Sequence, residues 1–430
     1  MRLHFFTAAA GVLALAAGAP ETRAQADELA ELRAQLQALQ ARIEALERQQ
    51  AAQSPAQPTE ARSAPPAAVP VARAKSGEGA GSASRIRWGG DLRYRHEQID
   101  AEAANATPER TRHRIRARFG LTSELSDTLS ATVQVATNGG NNDPRSTNQT
   151  LGEGFSRKGV GIDLAYVDWH PVKGLSVQLG KMPLPWERVD SAFWDNDIRP
   201  EGAAVRFRRG PFFASAFGYW LSERSAASDA TLTGAQVGLE GRVAGAKLKG
   251  AIGYFDVGAV RGQVTASPQG CGMPFNDAFF EGAQGNTTLD LAGCPVLAND
   301  FDVVHVLGQA ELTLGRLPLT VFTDFVRNTA ASALDTGYSA GFTLGRASQP
   351  RTWELGYSYQ VMEKDAQFGQ FVDSDFGGGL TDVDGSVLRV GYALRRNWKL
   401  QGTYFLNDRF VDVGPRRDYE RLQLDLNVRF

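Results

Sequence analysis

The sequence is poor in cysteine, histidine and net charge, and it has no long hydrophobic run. Its 430 residues include two cysteines and five histidines, and the formal net charge is only −2. The apolar run at the N-terminus is too short for a membrane-spanning helix, and nothing later approaches the roughly 18 uninterrupted apolar residues that one requires. If the mature chain lies in a membrane, it must therefore do so as a closed barrel, in which all backbone polar groups are paired.

The few histidines argue against an enzyme. His4 lies in the segment that we expect to be removed on export, and the others are scattered singly as His96, His113, His170 and His305. The spacing suggests no cluster of Ser, His and carboxylate, so each histidine is interpreted as a residue at an interface or inside such a barrel. We expect no catalytic residue, no metal and no cofactor, and an outer-membrane enzyme stays the less favoured alternative.

The two cysteines, Cys271 and Cys294, lie in one segment rich in Gly, Pro and Asn. In an exported chain such a pair favours a disulfide within a surface loop. Two unpaired thiols are the alternative, and a metal pair is disfavoured because no histidine lies nearby.

The first residues have the features of a secretory signal peptide, which we place at residues 1–24. Arg2 supplies the positive charge, a short apolar run extends from Phe5 to Ala17, and small residues around Ala24 offer a cleavage site. The sequence therefore predicts an exported protein.

Residues 27–50 carry the heptad spacing of a coiled coil. Its apolar seam consists of Leu29, Leu32, Leu36, Leu39, Ile43 and Leu46. A coiled coil this short is only marginally stable in isolation, so it needs the rest of the chain to hold the associating helices at a high local concentration. Self-association into a trimer is the preferred interpretation, and a lone amphipathic helix is the alternative. Residues 51–84, rich in Pro, Ala and Ser, predict a semi-extended linker.

From Arg85 to the end, residues 85–430, apolar and polar side chains alternate with a period of two, which predicts strands. In the last strand, for example, Leu422, Leu424 and Leu426 alternate with polar residues. We predict an all-β fold, a 16-stranded antiparallel transmembrane β-barrel preceded by the short α-helical coiled coil. The predicted strands span residues 85–97, 110–124, 129–137, 160–169, 175–181, 203–208, 212–221, 231–240, 246–256, 301–313, 319–327, 337–345, 352–362, 386–394, 398–407 and 418–430.

Short turns and longer loops alternate between these strands. The largest loops are residues 138–159, 182–202, 257–300 and 363–385. Bacterial outer-membrane barrels have short periplasmic turns, longer external loops and an even strand number. The pattern thus predicts the Gram-negative outer membrane, with both termini and the coiled coil in the periplasm. A secreted β-sandwich or propeller would explain the alternation but not this rhythm.

Arginines dominate the polar face of the first two predicted strands. An arginine facing lipid at the midplane costs about 2–4 kcal/mol, so these side chains are expected to face water. Sixteen strands leave an aqueous channel whose lining sets its selectivity. The sequence therefore predicts a basic wall, and with it a weak preference for anions. The basic wall consists of Arg87, Arg93, Arg95, Arg112, Arg114, Arg116 and Arg118.

The segment 182–202, the third external loop, is rich in acidic residues. They are Glu187, Asp190, Asp195, Asp197 and Glu201. An external loop that contacts a neighbouring subunit, with its acids solvated or binding divalent ions, is one interpretation of this segment.

Several features resemble a known family. They are the order of signal peptide, heptad helix, proline-rich linker and barrel, the terminal Leu-Gln-Leu-Asp-Leu-Asn-Val-Arg-Phe, and the stretches from Gly180 to Pro183 and from Trp194 to Gly202. The chain resembles the bacterial "putative porin" family and, more distantly, the phosphate-selective porins. The resemblance implies passive diffusion of small hydrophilic solutes through a homotrimer in outer-membrane lipid.

Two further expectations come from this resemblance. The terminal Phe430 is similar to the signal that the barrel-assembly machinery reads during biogenesis. In general porins the third loop folds inward as the constriction, and the same here would set an acidic loop against the basic wall, creating a transverse field.

Rival functions stay open or are disfavoured on specific grounds. A barrel acting mainly as an envelope tether or adhesin is the main alternative, although the handle carries no obvious wall-binding module. An energised transporter would need a plug domain that the linker cannot form. Nucleic-acid binding is disfavoured because the arginines follow strand alternation rather than a solvent-facing helix or loop. The sequence names no particular solute.

Overall fold

The structure, a computed structural model, describes residues 85–102, 109–138, 143–223, 228–265, 282–291 and 293–430. Within these ranges, no helix has the length and apolar character needed to cross a membrane. The predicted signal peptide, coiled-coil seam and linker lie outside the described residues. Cys271 also lies outside them, so its disulfide with Cys294 stays a prediction.

Sixteen antiparallel strands form a sheet that closes on itself, because its first strand pairs with both the second and the last. The barrel strands are β1 Arg85–Ala101, β2 Arg110–Glu124, β3 Leu129–Asn138, β5 Gly159–Trp169, β6 Leu175–Lys181, β7 Glu201–Arg209, β8 Phe212–Ser222, β9 Ala230–Val243, β10 Ala246–Gly258, β13 Phe301–Leu314, β14 Leu317–Asn328, β15 Thr336–Gly345, β16 Trp353–Met362, β17 Val383–Arg395, β18 Trp398–Arg409 and β19 Arg417–Arg429. The predicted all-β, 16-stranded barrel is confirmed.

Three small strands and two short 3-10 helices, Gly369–Phe371 and Phe376–Gly378, complete the list of elements within the described ranges. The two-residue β4, Gln149–Thr150, adds to β2 where β3 has ended. The strands β11, Thr288–Leu291, and β12, Cys294–Leu297, form a separate hairpin. None of the three small strands follows a long alternating run, which explains why the sequence pattern did not predict them.

Strand ends differ from the predicted ones by a few residues, mostly at the external rim. The strand β1 continues to Ala101, paired with Tyr419, although its alternation stops near Glu97. Above the hydrocarbon region both faces of a strand meet water, so the ladder continues after the hydrophobic pattern has faded.

The two faces of the barrel wall have opposite chemistry. On the outer face Trp88 is 67% exposed and Leu424 is 49% exposed. On the inner face of the neighbouring strands, Glu97, Arg421 and Asp425 are buried. This is the arrangement expected where lipid covers the outside and polar groups meet inside.

The terminal Phe430 takes part in closing the barrel. Its backbone exchanges hydrogen bonds with Gly90, Gly90 N–H donating at 3.0 Å and Phe430 N–H at 3.1 Å. A Cβ atom at position 90 would lie 2.8 Å from the Phe430 ring and closer still to the carbonyl oxygen of Arg118. Glycine at 90 therefore makes the space in which the last side chain lies.

Two external loops fold into the barrel. We call residues 182–200 loop L3 and residues 363–382 loop L7. They form an apolar core with the inner face of the wall, because their aromatic side chains meet aromatic and aliphatic residues there. The core includes Trp186, Phe193 and Trp194 of L3, Phe368, Phe371 and Phe376 of L7, and Phe217, Phe255, Val257, Phe301 and Val303 of the wall.

Candidate functional site

The basic wall lies on the inner face of β1 and β2, where the sheet register sets arginine directly opposite arginine. Arg93 pairs across the strands with Arg116, and Arg95 pairs with Arg114. Like charges at directly opposite positions destabilise a sheet, so this wall requires compensation from elsewhere. Arg87 lies apart near the start of β1, where it is exposed and pairs with Glu124 at 3.3 Å.

Carboxylates of the barrel wall supply part of this compensation. Asp91 binds Arg116 at 2.8 Å and Arg118 at 2.7 Å. Asp425 on β19 accepts two hydrogen bonds from Arg95, at 2.7 and 2.9 Å. Such bidentate pairs fix the planar guanidinium groups in the lumen.

Glu97 is the centre of a separate cluster of ion pairs, at the external side of the same wall. It is fully buried and pairs with Arg112 and Arg421. Gln423 adds a hydrogen bond at 3.1 Å. Arg421 was not among the predicted site residues, although it follows the same inward alternation on β19.

Loop L7 supplies a further carboxylate to this cluster. Asp375 lies 3.1 Å from Arg95 and 2.6 Å from Arg421. Although removal from water acts to raise it, Arg421 and Arg95 hold the pKa of the Asp375 carboxyl below its usual range. The sequence identified L7 as a long loop but gave it no part in the site. Its alternating Asp373 and Asp375 beside aromatic residues were the available signal.

Of the five acidic residues predicted for the third loop, four lie in L3 and Glu201 begins β7, and their surroundings differ. Asp197 faces the basic wall, 3.7 Å from Arg116 and 3.6 Å from Arg118. Glu187 pairs instead with Arg208 and Lys249 on the far side of the lumen, each at 2.8 Å. Glu201 pairs with Lys181 at 2.7 Å, where β6 and β7 meet the loop.

The remaining two acids, Asp190 and Asp195, hold L3 in place. Asp190 accepts hydrogen bonds from the Ser339 hydroxyl and from the Ala192 N–H. Removal from water and the nearby Asp324 raise the pKa of Asp190 to about 6.

Asp195 joins L3 to L7. Its carboxylate accepts the Ser374 N–H at 2.9 Å, and its own N–H donates to the Phe371 carbonyl at 2.7 Å. Burial and the neighbouring Asp373 raise the pKa of Asp195 well above its usual value. The two loops therefore form a single inward unit.

The loop between β3 and β5, which we call L2 and which is described from Asp143, also enters the lumen. Its Arg145 is buried, pairs with Asp143 at 2.9 Å and donates to the carbonyl oxygens of Gly369 and Gly379 in L7. Its Asn148 accepts a hydrogen bond from Arg93 at 2.6 Å. L2 thus spans from the basic wall to L7.

A polar cavity of about 460 Å³ lies between the basic wall, L2, L3 and L7. Phe405 is the one apolar residue among the described residues that line it. A second cavity of about 370 Å³ lies beside L2, and both cavities are lined by Asp197 and Arg199. The barrel interior therefore combines a polar, open side with a side that L3 and L7 fill with apolar residues.

These features define a class: a sixteen-stranded transmembrane barrel whose lumen is narrowed by inward-folded loops. The family described as "putative porin" matches this chain over residues 94–430. The chain belongs to this putative porin family, as its sequence indicated. No curated protein matches the sequence.

Two solved structures are similar to this chain. The high-pH structure of Pseudomonas putida OprB is 12% identical, with a TM-score of 0.52, and the match covers 80% of this chain and 94% of OprB. Salmonella typhi OmpF in complex with daunomycin is 10% identical over 81% of this chain and 98% of OmpF, with a TM-score of 0.47. The likeness to OprB supports the shared barrel fold.

Proposed function

We propose that this protein is an outer-membrane porin whose water-filled channel lets small hydrophilic solutes diffuse passively, with a weak preference for anions. The observation that carries the proposal is the polar cavity beside the basic wall. It lies inside a barrel whose outer face is apolar, so its polar lining has no role in contact with lipid.

The preference for anions follows from the charges around the cavity. Eight arginines and four aspartates line it, so the local charge is positive although the whole chain is nearly neutral. Burial and neighbouring carboxylates raise the pKa values of Asp195 and Asp373, so these two acids are easier to protonate than the free side chain. A pore whose narrow part is positive concentrates anions and repels cations.

The reversal potential across a KCl gradient tests this proposal on the folded channel in a planar bilayer. We expect the sign of an anion-preferring pore. Replacing both Arg114 and Arg116 with Ser should move the reversal potential toward cation selectivity. Clear cation selectivity of the unmodified channel would contradict the proposed preference.

The envelope-tether alternative predicts a different result in the same experiment. A barrel that only anchors or adheres would insert into the bilayer without conducting. The resemblance to porins and the polar cavity favour the channel. A complete absence of conductance from correctly folded protein would favour the tether.

The assembly is proposed on sequence grounds. The signal peptide of residues 1–24 directs export, and the coiled coil of residues 27–50 associates in the periplasm as part of a homotrimer, with residues 51–84 as linker. Cross-linking of the purified protein, with and without residues 27–50, tests the subunit number and the contribution of the handle.

A further inference from the structure

Two arginines of the basic wall, Arg93 and Arg114, differ from the others in their partners. Within the described residues, the hydrogen bonds of Arg93 go to the side-chain oxygen of Asn148, at 3.2 and 2.6 Å. Those of Arg114 go to the Ser146 hydroxyl and the Asn148 carbonyl, at 3.4 and 3.2 Å. All of these acceptors are neutral.

The other members of the two opposed pairs are compensated by carboxylates. Arg116, opposite Arg93, is bound by Asp91, and Arg95, opposite Arg114, is bound by Asp425 and Asp375. The sheet therefore holds like charges face to face, and among the described residues only one arginine of each pair has a carboxylate in direct contact. A cation that is partly removed from water and has a neutral partner is costly unless an anion reaches it.

Arg93 can be reached, because it lines the 460 Å³ cavity together with Asn148 and Arg116. Arg114 is not among the lining residues, so Arg93 is the accessible one of the two. Its Nε and Nη2 atoms share one amide oxygen of Asn148, and no described residue accepts a hydrogen bond from Nη1. The cavity volume falls within the range of small-molecule sites.

We propose that Arg93 is the centre of an oxyanion-binding site, at which a carboxylate or phosphate group of a passing solute is held during transit. The inference rests on the proposed channel function and names the class of solute that this channel favours. Two oxygens of a carboxylate or phosphate group match the guanidinium fork and replace the neutral amide oxygen with charge-assisted hydrogen bonds. Arg116, at the opposite position of the sheet, already has Asp91 as its partner, so Arg93 supplies the charge that the oxyanion meets.

Binding in transit makes the flow of such anions saturable, and this can be measured. The full-length channel is placed in a planar bilayer in KCl, and inorganic phosphate or succinate is added separately in increasing concentration. We expect at least one of the two to reduce the chloride current with a saturating dependence. Comparing them shows whether the site takes phosphate, carboxylate or both.

Arg93→Gln should raise the half-saturating concentration by roughly tenfold or more, since a charge-assisted pair is lost. Arg93→Lys keeps the charge but loses the fork, so we expect an intermediate value. The matched control is Arg87→Gln, because Arg87 lies on the same strand and the same face but does not line this cavity. Heat-modifiable migration on a gel confirms that each variant is folded.

The outcomes separate this inference from the function on which it rests. A conducting channel that neither phosphate nor succinate blocks in a saturable way overturns the oxyanion site and leaves the channel intact. Equal effects of Arg93→Gln and Arg87→Gln also overturn it. A folded barrel without any conductance overturns the proposed function.

Discussion

The two sides of the lumen are built on the same alternation of residues but carry opposite chemistry. On the inner face of β1 and β2 arginines predominate, and loop carboxylates and a polar cavity lie against them. On the inner face of β8, β10 and β13 the corresponding positions hold Phe217, Phe255 and Phe301, against which L3 and L7 pack. The inner-face composition of each strand therefore decides which side of the barrel stays open.

The difference has a simple energetic basis. Burying apolar surface gains roughly 25 cal/mol per Å². This favours loops folded onto the inner face of β8, β10 and β13, which we call the aromatic side. The guanidinium of an arginine gains nothing from such cover. It loses hydration, and this loss is costly unless a carboxylate pairs with the charge. The aromatic side thus works as a support that holds Asp197 and Asp375 at the basic wall. The comparison predicts that the two sides respond differently to mutation.

The largest effect is expected from breaking the aromatic side. Phe255 is fully buried at the centre of the core, in ring contact with Trp186, Trp194 and Phe217. Phe255→Asp would place an unpaired carboxylate there, at a cost of several kcal/mol, and should release L3 and L7 from the wall. We expect the single-channel conductance to increase, on the order of a doubling, because the filled part of the lumen opens.

The matched control for this prediction is Phe255→Leu, which keeps an apolar side chain at the same place. It should leave the conductance close to that of the unmodified channel. An unchanged conductance in folded Phe255→Asp would mean that the core does not hold the loops in place.

Most of the fold could be predicted from the sequence, because alternation in a barrel is strict and local. All sixteen barrel strands were located. A shift of one residue in the alternation would turn every arginine of β2 toward lipid, so the inward face of that strand could also be assigned. The position of the loops could not be predicted in the same way. L7 contacts the basic wall through Asp375, and this contact joins residues 280 positions apart in the chain, Arg95 and Asp375. No local pattern specifies such a pair.

The next largest effect is a pH dependence of loop attachment on the aromatic side. Asp190 holds L3 to Ser339, and its pKa is raised from 3.8 to about 6. An acid with a raised pKa in the folded loop favours that state when protonated. Attachment is therefore strongest below pH 3.8 and weakens as the pH rises through 6, by up to about 3 kcal/mol.

This dependence can be followed by quenching of tryptophan fluorescence, because Trp186 and Trp194 lie in L3. Quenching by acrylamide should increase between pH 4 and pH 7. In Asp190→Asn the side chain stays neutral, so the increase should be reduced, with the raised pKa values of Asp195 and Asp373 leaving a remainder. An identical pH profile for both proteins would show that Asp190 does not control the loop.

The smallest expected effect is a difference in ion selectivity between variants of two acidic residues that the sequence assigned to the same loop. Asp197 faces Arg116 and Arg118, whereas Glu201 pairs with Lys181, and the Glu201 side chain is 61% exposed. Asp197→Asn removes a negative charge from the cavity and should make the channel more anion-selective. Glu201→Gln should leave the reversal potential almost unchanged, since an exposed pair contributes about 0–1 kcal/mol and is screened by salt. Equal shifts in the two variants would mean that overall loop charge, rather than position at the basic wall, sets selectivity.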